Sequence, residues 1–339
     1  MEEHDAQPDP QTVTADDVAT RAGVSRWTVA RAFKKDGSIS EKSRKKVMQA
    51  VEELGYVPDL LAASLASDRS NLVALLVDDF DNPHKLVMLE RLTRILRAAG
   101  CGTLLVNMLG EDDAPDALLL ASQRRVDAAV LIGTQFNDSI RQTALGARRV
   151  KKLIVFARAS ASPDTISIGC DDVEAMGEIT RHIIARGYQR PMFLAGPDTE
   201  STRLMRKEAF LRLWAESKGG PAPDVVHLPR YAQTDGYNGL LAYLKSRPSA
   251  ALPDVVICEN DVLALGAIDA IRHGMGLRVP QDIAVTGFDD IPIAASPAYD
   301  LTTYRQPITQ MAHALVKVLD GGSRADLVLP GQFIARSSG

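Results

Sequence analysis

The stretch VTADDVATRAGVSRWTVARAF, residues 13–33, decides how the N-terminal part of the chain folds. Its pattern predicts two short helices joined by a tight turn. Two helices that cross steeply need a small residue at their contact, a turn residue that tolerates positive φ, and an apolar residue facing back. Ala19, Gly23 and Val29 meet these needs at the spacing A-x3-G-x5-V. The stretch therefore predicts a helix-turn-helix whose second helix is of the kind that enters a DNA major groove.

The charge of the chain is distributed unevenly. The 339 residues carry a net charge of -4, from 39 basic and 43 acidic residues. Between residues 21 and 46 there are two acidic residues and nine basic ones, namely Arg21, Arg26, Arg31, Lys34, Lys35, Lys42, Arg44, Lys45 and Lys46. A local excess of cations on an acidic chain is typical of contact with nucleic-acid phosphates. A solvated charged face without a partner is the alternative.

The rest of the composition indicates an ordinary globular protein. Cys101, Cys170 and Cys258 are odd in number and far apart, so we expect reduced thiols and no metal site. The start of the chain lacks the apolar run of a signal peptide, and no stretch of about 18 apolar residues could span a membrane. The sequence therefore predicts a cytoplasmic protein with a disordered tail over residues 1–11.

A third helix and a short linker follow the helix-turn-helix. Ser40 is placed to cap a helix that ends at Gly55, which would complete a three-helix head. The segment DLLAASLAS, residues 59–67, is too short to be a stable helix alone. It predicts a linker that becomes helical only against a partner, and a plain linker is the alternative.

Beyond Leu72, short apolar runs alternate with helical patterns. The runs are NLVALLV, CGTLLVNM, DAAVLIGT, KKLIVFA, TISIG, PMFLAG, DVVHL, DVVICEN and IAVTGFDD. Nearly continuous apolar strands separated by helices predict parallel strands covered on both faces, in a doubly wound α/β architecture. Nine strands exceed one sheet of about five or six strands. The sequence therefore predicts two α/β lobes, with a ligand cleft at the carboxyl ends of their strands.

The sequence carries no signature of an enzyme. It has no nucleophile and base in a recognisable arrangement, and no phosphate-binding loop of the G-x4-G-K-S/T type. The run Asp78-Asp79-Phe80-Asp81 could bind a cation, but no second acidic cluster supports such a site. We expect no cofactor.

Several stretches together resemble the lactose/galactose repressor (LacI/GalR) family of bacterial transcription regulators. They are DDVATRAGVSRWTVARAF, GYVPDLLAASLAS, LAGPDTESTRLMRKEAF, ENDVLALGAIDAIR, VPQDIAVTGFDDI, LTTYRQP and IARSS, and they cover about residues 12–338. The resemblance implies a DNA-binding head, a hinge helix, and an effector-binding and dimerisation core of two lobes like those of periplasmic sugar-binding proteins. The implied bounds are 12–58 for the head, 59–69 for the hinge, about 70–168 and 304–325 for the first lobe, and about 169–303 and 326–339 for the second.

The resemblance also implies which residues contact DNA. Arg26, Trp27 and Arg31 would contact base edges, with Ser25 and Thr28 nearer the phosphates. Arginine is suited to paired hydrogen bonds with guanine. Packing against the head itself is the alternative for Trp27.

Outside the second helix, the resemblance implies four more DNA contacts. Ser40 and Ser43 would hold phosphates, and Tyr56 would help to anchor the hinge. Leu65 matches the hinge leucine that family members insert into the minor groove.

Six residues are implied to bind an effector in the cleft, namely Asp79, Arg158, Arg206, Tyr231, Asn260 and Asp289. A planar donor fork, an acceptor carboxylate and an aromatic face suit a sugar or a nucleobase. For Asn260 and Asp289, capping of the following helix is the alternative, although Asp261 and Asp290 are better placed for that role. His84 and Lys85 stand where aromatic residues are frequent in the family, so the effector stays open.

The resemblance implies a homodimeric regulator, most often a repressor, that binds a palindromic operator. A small-molecule effector, a sugar or related metabolite, would change the angle between the lobes and so order or disorder the hinge helices. The dimer interface would lie on the first lobe, including residues 86–99. A regulator controlled by a protein partner and a solute-binding protein are the alternatives.

Overall fold

The computed structural model describes most of the chain. The described residues are 13–33, 37–58, 69–108, 113–133, 150–199, 202–218, 221–322 and 325–339. The chain divides into two compact units, Met1–Ser70 and Asn71–Gly339. The predicted tail over residues 1–11 and the hinge segment 59–67, with Leu65, lie outside the described residues.

The first unit contains the three predicted helices. They are α1 (Ala15–Ala22), α2 (Arg26–Ala32) and α3 (Glu41–Leu54). Because short helices leave their first N–H groups unpaired, side-chain caps matter here. The side chains of Thr14, Ser25 and Ser40 each accept a hydrogen bond from a backbone N–H of the following first turn.

The predicted turn has the expected geometry. Gly23 adopts the left-handed conformation with φ 64°, and the N–H of Val24 donates to the carbonyl of Ala19 at 3.0 Å. Val29 is buried with Val47 of α3 in the small core of the unit. The helix-turn-helix prediction is therefore confirmed.

Arg44 has a structural role that the charge count did not suggest. Its guanidinium donates to the carbonyl of Ala32, at the end of α2, and to that of Gly37 at 3.1 Å. This cation joins the connection between α2 and α3 to the third helix. Lys34 and Lys35, which belong to the same basic cluster, lie outside the described residues.

The second unit has the doubly wound character that the apolar runs predict. Its strands are β1 (Leu72–Val77), β2 (Gly102–Asn107), β3 (Ala128–Ile132), β4 (Leu153–Phe156), β5 (Ala159–Ser160), β6 (Thr165–Cys170), β7 (Pro191–Ala195), β8 (Thr202–Arg203), β9 (Asp224–His227), β10 (Val255–Cys258), β11 (Ala284–Thr286), β12 (Thr303–Arg305), β13 (Leu327–Leu329) and β14 (Gln332–Ile334). Its α-helices are α4 (Pro83–Ala98), α5 (Asp113–Gln123), α6 (Asp172–Ala185), α7 (Arg206–Lys218), α8 (Gln233–Lys245), α9 (Asp261–Asp269) and α10 (Ile308–Leu319). No described helix is both long and apolar enough to cross a membrane.

Two parallel sheets form the two lobes. The first has the order β13-β6-β4-β3-β1-β2 and the second has the order β11-β10-β7-β9. Two antiparallel pairs, β12 with β14 and β5 with β8, complete the strand pairing. All nine strands predicted from apolar runs are present in the two parallel sheets.

Both faces of the first sheet are covered, as expected for parallel strands. Successive side chains of β1 alternate between two cores. Val73 and Leu75 pack in the core that contains Leu92 of α4, whereas Leu76 packs in the core that contains Leu118 of α5.

The predicted lobe boundary at residue 326 is wrong for β13. That strand was assigned to the second lobe, but Leu327 pairs with Ile168 of β6 in the first sheet. Leu327 and Leu329 pack against the core of the first lobe. A three-residue apolar run adds an edge strand to whichever sheet offers an unpaired edge, so the sequence alone could not assign it.

Two glycines let α8 and α9 cross at very short range. A Cβ atom on Gly266 would lie 2.1 Å from the carbonyl oxygen of Gln233, and one on Gly236 would lie 2.6 Å from that of Leu263. These neighbours are backbone atoms, which cannot rotate away. The packing of α8 against α9 therefore requires glycine, which has no Cβ atom, at both positions.

We expect Gly266→Ala to destabilise the second unit by on the order of 1–3 kcal/mol, because overpacking a close helix crossing forces the backbone apart. Gly102→Ala is the matched control, since its Cβ would meet Leu72 at an ordinary 3.4 Å. Urea unfolding followed by circular dichroism measures both changes. Equal midpoints for the two variants would contradict the role given to the crossing.

Candidate functional site

The helix α2 buries one face and exposes the other. Val29 and Ala32 are buried in the core of the head, whereas Ser25, Arg26 and Trp27 are exposed. Trp27 as a whole residue is 61% exposed. A helix of a three-helix head that presents a cationic and aromatic face to solvent has the surface that base-edge contact requires.

Trp27 and Arg31 form one unit on that face. The guanidinium carbon of Arg31 lies 3.7 Å from the centre of the Trp27 ring, one helical turn away. The same guanidinium donates to the carbonyl of Ser38 at 3.2 Å. The alternative for Trp27 is packing against the head. The Trp27 ring packs on Arg31 of the same helix and lies outside the buried core.

The remaining predicted DNA contacts divide into exposed groups and capping groups. Arg26 makes an exposed ion pair with Asp16 at 3.5 Å. The hydroxyls of Ser25 and Thr28 are 3.0 Å apart, and both belong to the cap of α2. Such groups lie at a helix N-terminus, where backbone N–H groups favour a phosphate.

Two further predicted contacts lie at the edge of the head. The hydroxyls of Ser40 and Ser43 are 2.9 Å apart at the start of α3. Tyr56 is half-buried, and its ring lies 6.0 Å from that of Phe33. Tyr56 therefore fixes the end of the head through packing.

A second candidate site is a cavity between the two lobes of the second unit. It encloses about 480 Å³ of space not filled by protein atoms, part of which is open to solvent. Its wall contains five of the six predicted effector residues, namely Arg158, Arg206, Tyr231, Asn260 and Asp289. The wall also contains residues that the sequence did not single out as ligands, among them His84, Lys85, Phe156 and Gln306.

Arg206 is the most heavily engaged residue of the cavity. Its Nε donates to Asp172 at 3.0 Å and its Nη1 donates to the carbonyl of Glu259 at 2.8 Å. The guanidinium carbon lies 3.4 Å from the centre of the Phe288 ring. Burial alone would lower the pKa of Arg206, but the carboxylates of Asp172, Asp289 and Glu259 outweigh it and raise the pKa. The side chain is thus a fixed cation.

Tyr231 is held in place by a buried carboxylate. Its hydroxyl donates to Glu259 at 2.9 Å, and the N–H of Gly196 donates to the same oxygen at 2.7 Å. The ring packs directly on Gly196, where a Cβ atom would lie 2.1 Å from it. Burial, and then the charge of Glu259, raise the pKa of Tyr231. The ring therefore offers the cavity a rigid, neutral aromatic surface.

Asp289 connects the two lobes through Gln306. Its backbone has a φ of 119°, and its carboxylate accepts a hydrogen bond from the Nε2 of Gln306 at 2.7 Å. The same Gln306 nitrogen lies 3.2 Å from the Nε2 of His84 in the first lobe. Burial raises the pKa of Asp289 to about 7, although Arg206 and Gln306 act in the opposite direction. Burial, then Arg206 and Lys85, lower the pKa of His84 to about 3.

Arg158 spans the junction of the lobes. From the end of β4 it donates through Nε to Thr202 at 3.1 Å and through Nη2 to Thr199 at 3.0 Å. The adjoining strands β5 and β8 pair across the same junction. Arg158 therefore holds the two lobes together as well as lining the cavity.

Asn260 caps a helix and lines the cavity at the same time. Its Oδ1 accepts from the N–H of Leu263 at 3.0 Å, at the start of α9. Its amide nitrogen makes no hydrogen bond to the described residues, which leaves a donor for a ligand.

The expectation that Asp261 and Asp290 are the capping residues is wrong. Asp261 is the first residue of α9, and its buried carboxylate accepts from Thr303 at 2.6 Å and from the N–H of Ile291 at 2.8 Å. Asp290 forms ion pairs with Arg305 and Arg336, each at 2.6 Å. Asn260 caps α9, and the carboxylates of Asp261 and Asp290 instead link separate segments of the second lobe.

Asp79 does not line the cavity. Its carboxylate accepts from the backbone N–H of Asp81 at 2.7 Å and lies 3.4 Å from the Nζ of Lys85. Lys85 makes a closer ion pair with the buried Asp78. The acidic run of the sequence therefore serves the turn into α4, and no group of metal-binding side chains was found among the described residues.

The pH dependence of stability tests the environment of Asp289. Its raised pKa means that the folded state keeps a proton that the unfolded state loses above its ordinary value of 3.8. This contribution to stability is present below pH 4 and is lost as the pH rises through about 7. An amide cannot ionise, so Asp289→Asn should gain on the order of 1 kcal/mol relative to the wild type between pH 5 and pH 8.

Urea unfolding at each pH measures this difference. Asp282→Asn is the control, because Asp282 is exposed and the hydrogen bonds from Arg278 hold its pKa at about 2, outside the range. The free energy of unfolding of Asp282→Asn should change with pH in the same way as that of the wild type. A parallel profile for Asp289→Asn as well would refute the assigned environment.

Comparisons with known proteins identify both units. Residues 14–59 match the model of the bacterial regulatory proteins of the lacI family. Residues 180–338 match a periplasmic binding protein-like domain.

Individual proteins resemble the chain over most of its length. The HTH-type transcriptional repressor PurR of Proteus mirabilis is 30% identical over 310 residues, which is 89% of each chain. The sucrose operon repressor of Escherichia coli is 30% identical over 281 residues, covering 81% of this chain and 83% of the repressor.

Solved structures show the same fold. A lac repressor dimer bound to operator and the anti-inducer ONPF superposes with a TM-score of 0.80 at 22% identity, covering 97% of this chain and 99% of that one. The expected fold class and the expected membership of the LacI/GalR family are both confirmed. The chain belongs to the lacI family of bacterial regulatory proteins.

Proposed function

We propose that this chain is a transcriptional repressor that binds a palindromic operator as a homodimer. In this proposal its affinity for DNA depends on a small molecule bound between the lobes. The observation that carries the DNA-binding part is the exposed face of α2, where Trp27 and Arg31 are stacked at 3.7 Å beside the exposed Arg26.

The chemistry of α2 supports sequence-specific binding. Arg26 and Arg31 can each donate two hydrogen bonds to the major-groove edge of guanine. The Trp27 ring offers apolar contact to a thymine methyl group. The capping hydroxyls of Ser25 and Ser40 lie at helix N-termini, where they and the neighbouring N–H groups suit phosphates.

Dimerisation would give a palindromic site. One structural neighbour is a lac repressor dimer bound to operator. The first lobe of this chain exposes large apolar side chains, with Leu86 of α4 56% exposed and Leu105 of the edge strand β2 53% exposed. Pairing of two copies through this lobe would cover them. Two heads would then contact half-sites about 34–36 Å apart, or a multiple of that distance.

The cavity supports a small effector of the sugar or related metabolite class. Its wall combines the fixed cation of Arg206, the rigid ring of Tyr231 and the free amide nitrogen of Asn260. Such a combination orients a compact polar ligand. We infer that no cofactor is required and that the protein acts in the cytoplasm, where bacterial DNA is located.

The experiment that tests the proposal is selection of DNA by the purified full chain from sheared genomic DNA or a random pool at near-physiological salt. We expect enrichment of one approximately palindromic sequence. Recovery of unrelated fragments, by a protein that is folded and dimeric, would contradict the proposal.

Arg31→Ala should weaken binding to the selected operator by about 5- to 150-fold, because a paired contact to guanine contributes about 1–3 kcal/mol. Binding to unrelated DNA, which depends on phosphate contacts, should change much less. Fluorescence anisotropy of labelled operator and scrambled duplexes measures both affinities.

The matched control for Arg31→Ala is Arg212→Ala. Arg212 is exposed on α7 of the second unit, in an ion pair with Glu216 at 3.2 Å. We expect it to bind the operator as the wild type does. An equal loss for both variants, or a loss of the same size on scrambled DNA, would argue against base contact by Arg31.

A further inference from the structure

The guanidinium of Arg31 is fixed on two sides by the head itself. Its carbon lies 3.7 Å from the centre of the Trp27 ring, one turn earlier on α2. Its Nη1 donates to the carbonyl of Ser38, in the connection between α2 and α3, at 3.2 Å. The ring covers one face of the guanidinium and the carbonyl holds one of its ends. Together the two contacts restrict both the tilt and the rotation of the group.

The opposite edge of the same guanidinium carries the donors that guanine needs. The Nε–H and one N–H of Nη2 lie side by side along that edge, in the fixed fork of an arginine. Neither atom donates to an acceptor in the part of the chain that the structure describes. Two parallel donors match the O6 and N7 acceptors of guanine in the major groove. The contacts with Trp27 and Ser38 therefore leave free the pair of donors that base recognition uses.

The spacing of the stack is close to the spacing of bases in DNA. Successive base pairs of B-DNA are about 3.4 Å apart along the helix axis, and the ring and the guanidinium are 3.7 Å apart. A guanidinium in the plane of a guanine therefore puts the Trp27 ring at the level of the neighbouring base pair. There the ring does not reach the hydrogen-bonding edge of that guanine, so an effect of Trp27 on guanine recognition has to act through Arg31.

We propose that Trp27 is a positioning residue that holds the fork of Arg31 ready for guanine. An arginine side chain has several rotatable bonds, and ordering it on binding costs conformational entropy. A ring that already holds the guanidinium removes part of this cost, and the cation–π attraction strengthens when DNA excludes water from the pair. The inference rests on the proposed function, since it explains the base preference of the same DNA-binding face.

Arg26 provides a contrast within the same helix. It makes an ion pair with Asp16 at 3.5 Å, and the two side chains are 69% and 65% exposed. No aromatic ring stacks on Arg26 among the described residues. Adjacent side chains of a helix do not face each other, so Trp27 does not hold Arg26. A base contacted by Arg26 should therefore keep its preference when Trp27 is changed.

The test measures base preference at single positions of the selected operator. The full chain and its variants are titrated by fluorescence anisotropy against the operator and against duplexes that each change one base pair. The guanine assigned to Arg31 is the one whose preference disappears in Arg31→Ala, and Arg26→Ala assigns the position of Arg26 in the same way. The preference is the ratio of two affinities of one variant, so a general loss of DNA affinity cancels.

We expect Trp27→Ala to lower the preference for the Arg31 guanine by about three- to tenfold, the range of a cation–π contact that loses its water. The preference at the Arg26 position should not change. Trp27→Phe should retain most of the guanine preference because it keeps an aromatic face, whereas Trp27→Leu should lose as much as Trp27→Ala. Combined with Arg31→Ala, Trp27→Ala should lower the guanine preference no further.

Tyr243→Ala is the matched control, because it also removes an aromatic ring from an arginine. The guanidinium carbon of Arg247, in the second unit, lies 4.8 Å from the centre of the Tyr243 ring. We expect this variant to bind every duplex as the wild type does.

Four results would overturn the inference. An unchanged guanine preference in Trp27→Ala would mean that Trp27 contacts DNA only directly, and equal losses at the Arg31 and Arg26 positions would mean that it supports the helix as a whole. Full retention by Trp27→Leu would replace stacking by apolar bulk. The fourth is an operator without a guanine preference that depends on Arg31.

These four results leave the proposed function standing, since each of them requires an operator that the wild type selects. Failure of the wild type to select any operator would instead refute the proposed function together with the inference.

Discussion

The buried guanidinium of Arg206 is the interaction on which the cavity depends. A buried cation is tolerated only when carboxylates and carbonyls surround it. Meeting that need fixes Asp172 at the start of α6, Glu259 at the end of β10 and Phe288 near Asp289. The charge of Arg206 thus brings the carboxyl ends of separate strands into one defined wall.

The carboxylates of Glu259 and Asp289 also make hydrogen bonds that link the cavity wall to the rest of the fold. Glu259 holds Tyr231 through its hydroxyl and Gly196 through its N–H. Asp289 receives Gln306, which in turn faces His84 across the junction. A ligand that enters the cavity therefore meets groups from both lobes at once. Ligand-dependent changes in lobe geometry need such contacts, because an effector shifts an equilibrium only by its difference in affinity for the two states.

The DNA-binding head follows a different rule, since it has no large core. Its helices contain 8, 7 and 14 residues, and isolated helices of such length are marginal in water. Side-chain caps, a small apolar core and the bonds from Arg44 to the backbone replace the missing burial. The exposed face of α2 is consequently free to carry Arg26, Trp27 and Arg31 without a structural penalty.

The head, the strands of both sheets and most of the cavity wall could be predicted from the sequence, because each of them has a strong local sequence pattern. The spacing of Ala19, Gly23 and Val29 predicted the head, and nine apolar runs predicted the strands of both sheets. Five of the six expected effector residues line the cavity. Asp79 does not, since the turn into α4 takes up its carboxylate.

Other features depend on contacts that are distant in sequence. Short strands such as β13 have too few residues for a pattern. His84 and Gln306 are 222 positions apart in the sequence, so no local motif could predict their contact. The sequence drew attention to this part of the cavity only because His84 and Lys85 stand where aromatic residues are frequent in the family.

The central claim is that a ligand held at Arg206 controls the affinity of the head for DNA. The most direct measurement is operator binding by the wild type and by Arg206→Lys, each titrated with the same sugars and nucleobases. Lysine keeps the charge but loses the fork that spans Asp172 and the carbonyl of Glu259. We predict that at least one metabolite changes the operator affinity of the wild type by about fivefold or more, the lower end of allosteric coupling. The variant should bind the operator equally well without metabolite and show no response, whereas a response equal to that of the wild type would contradict the account.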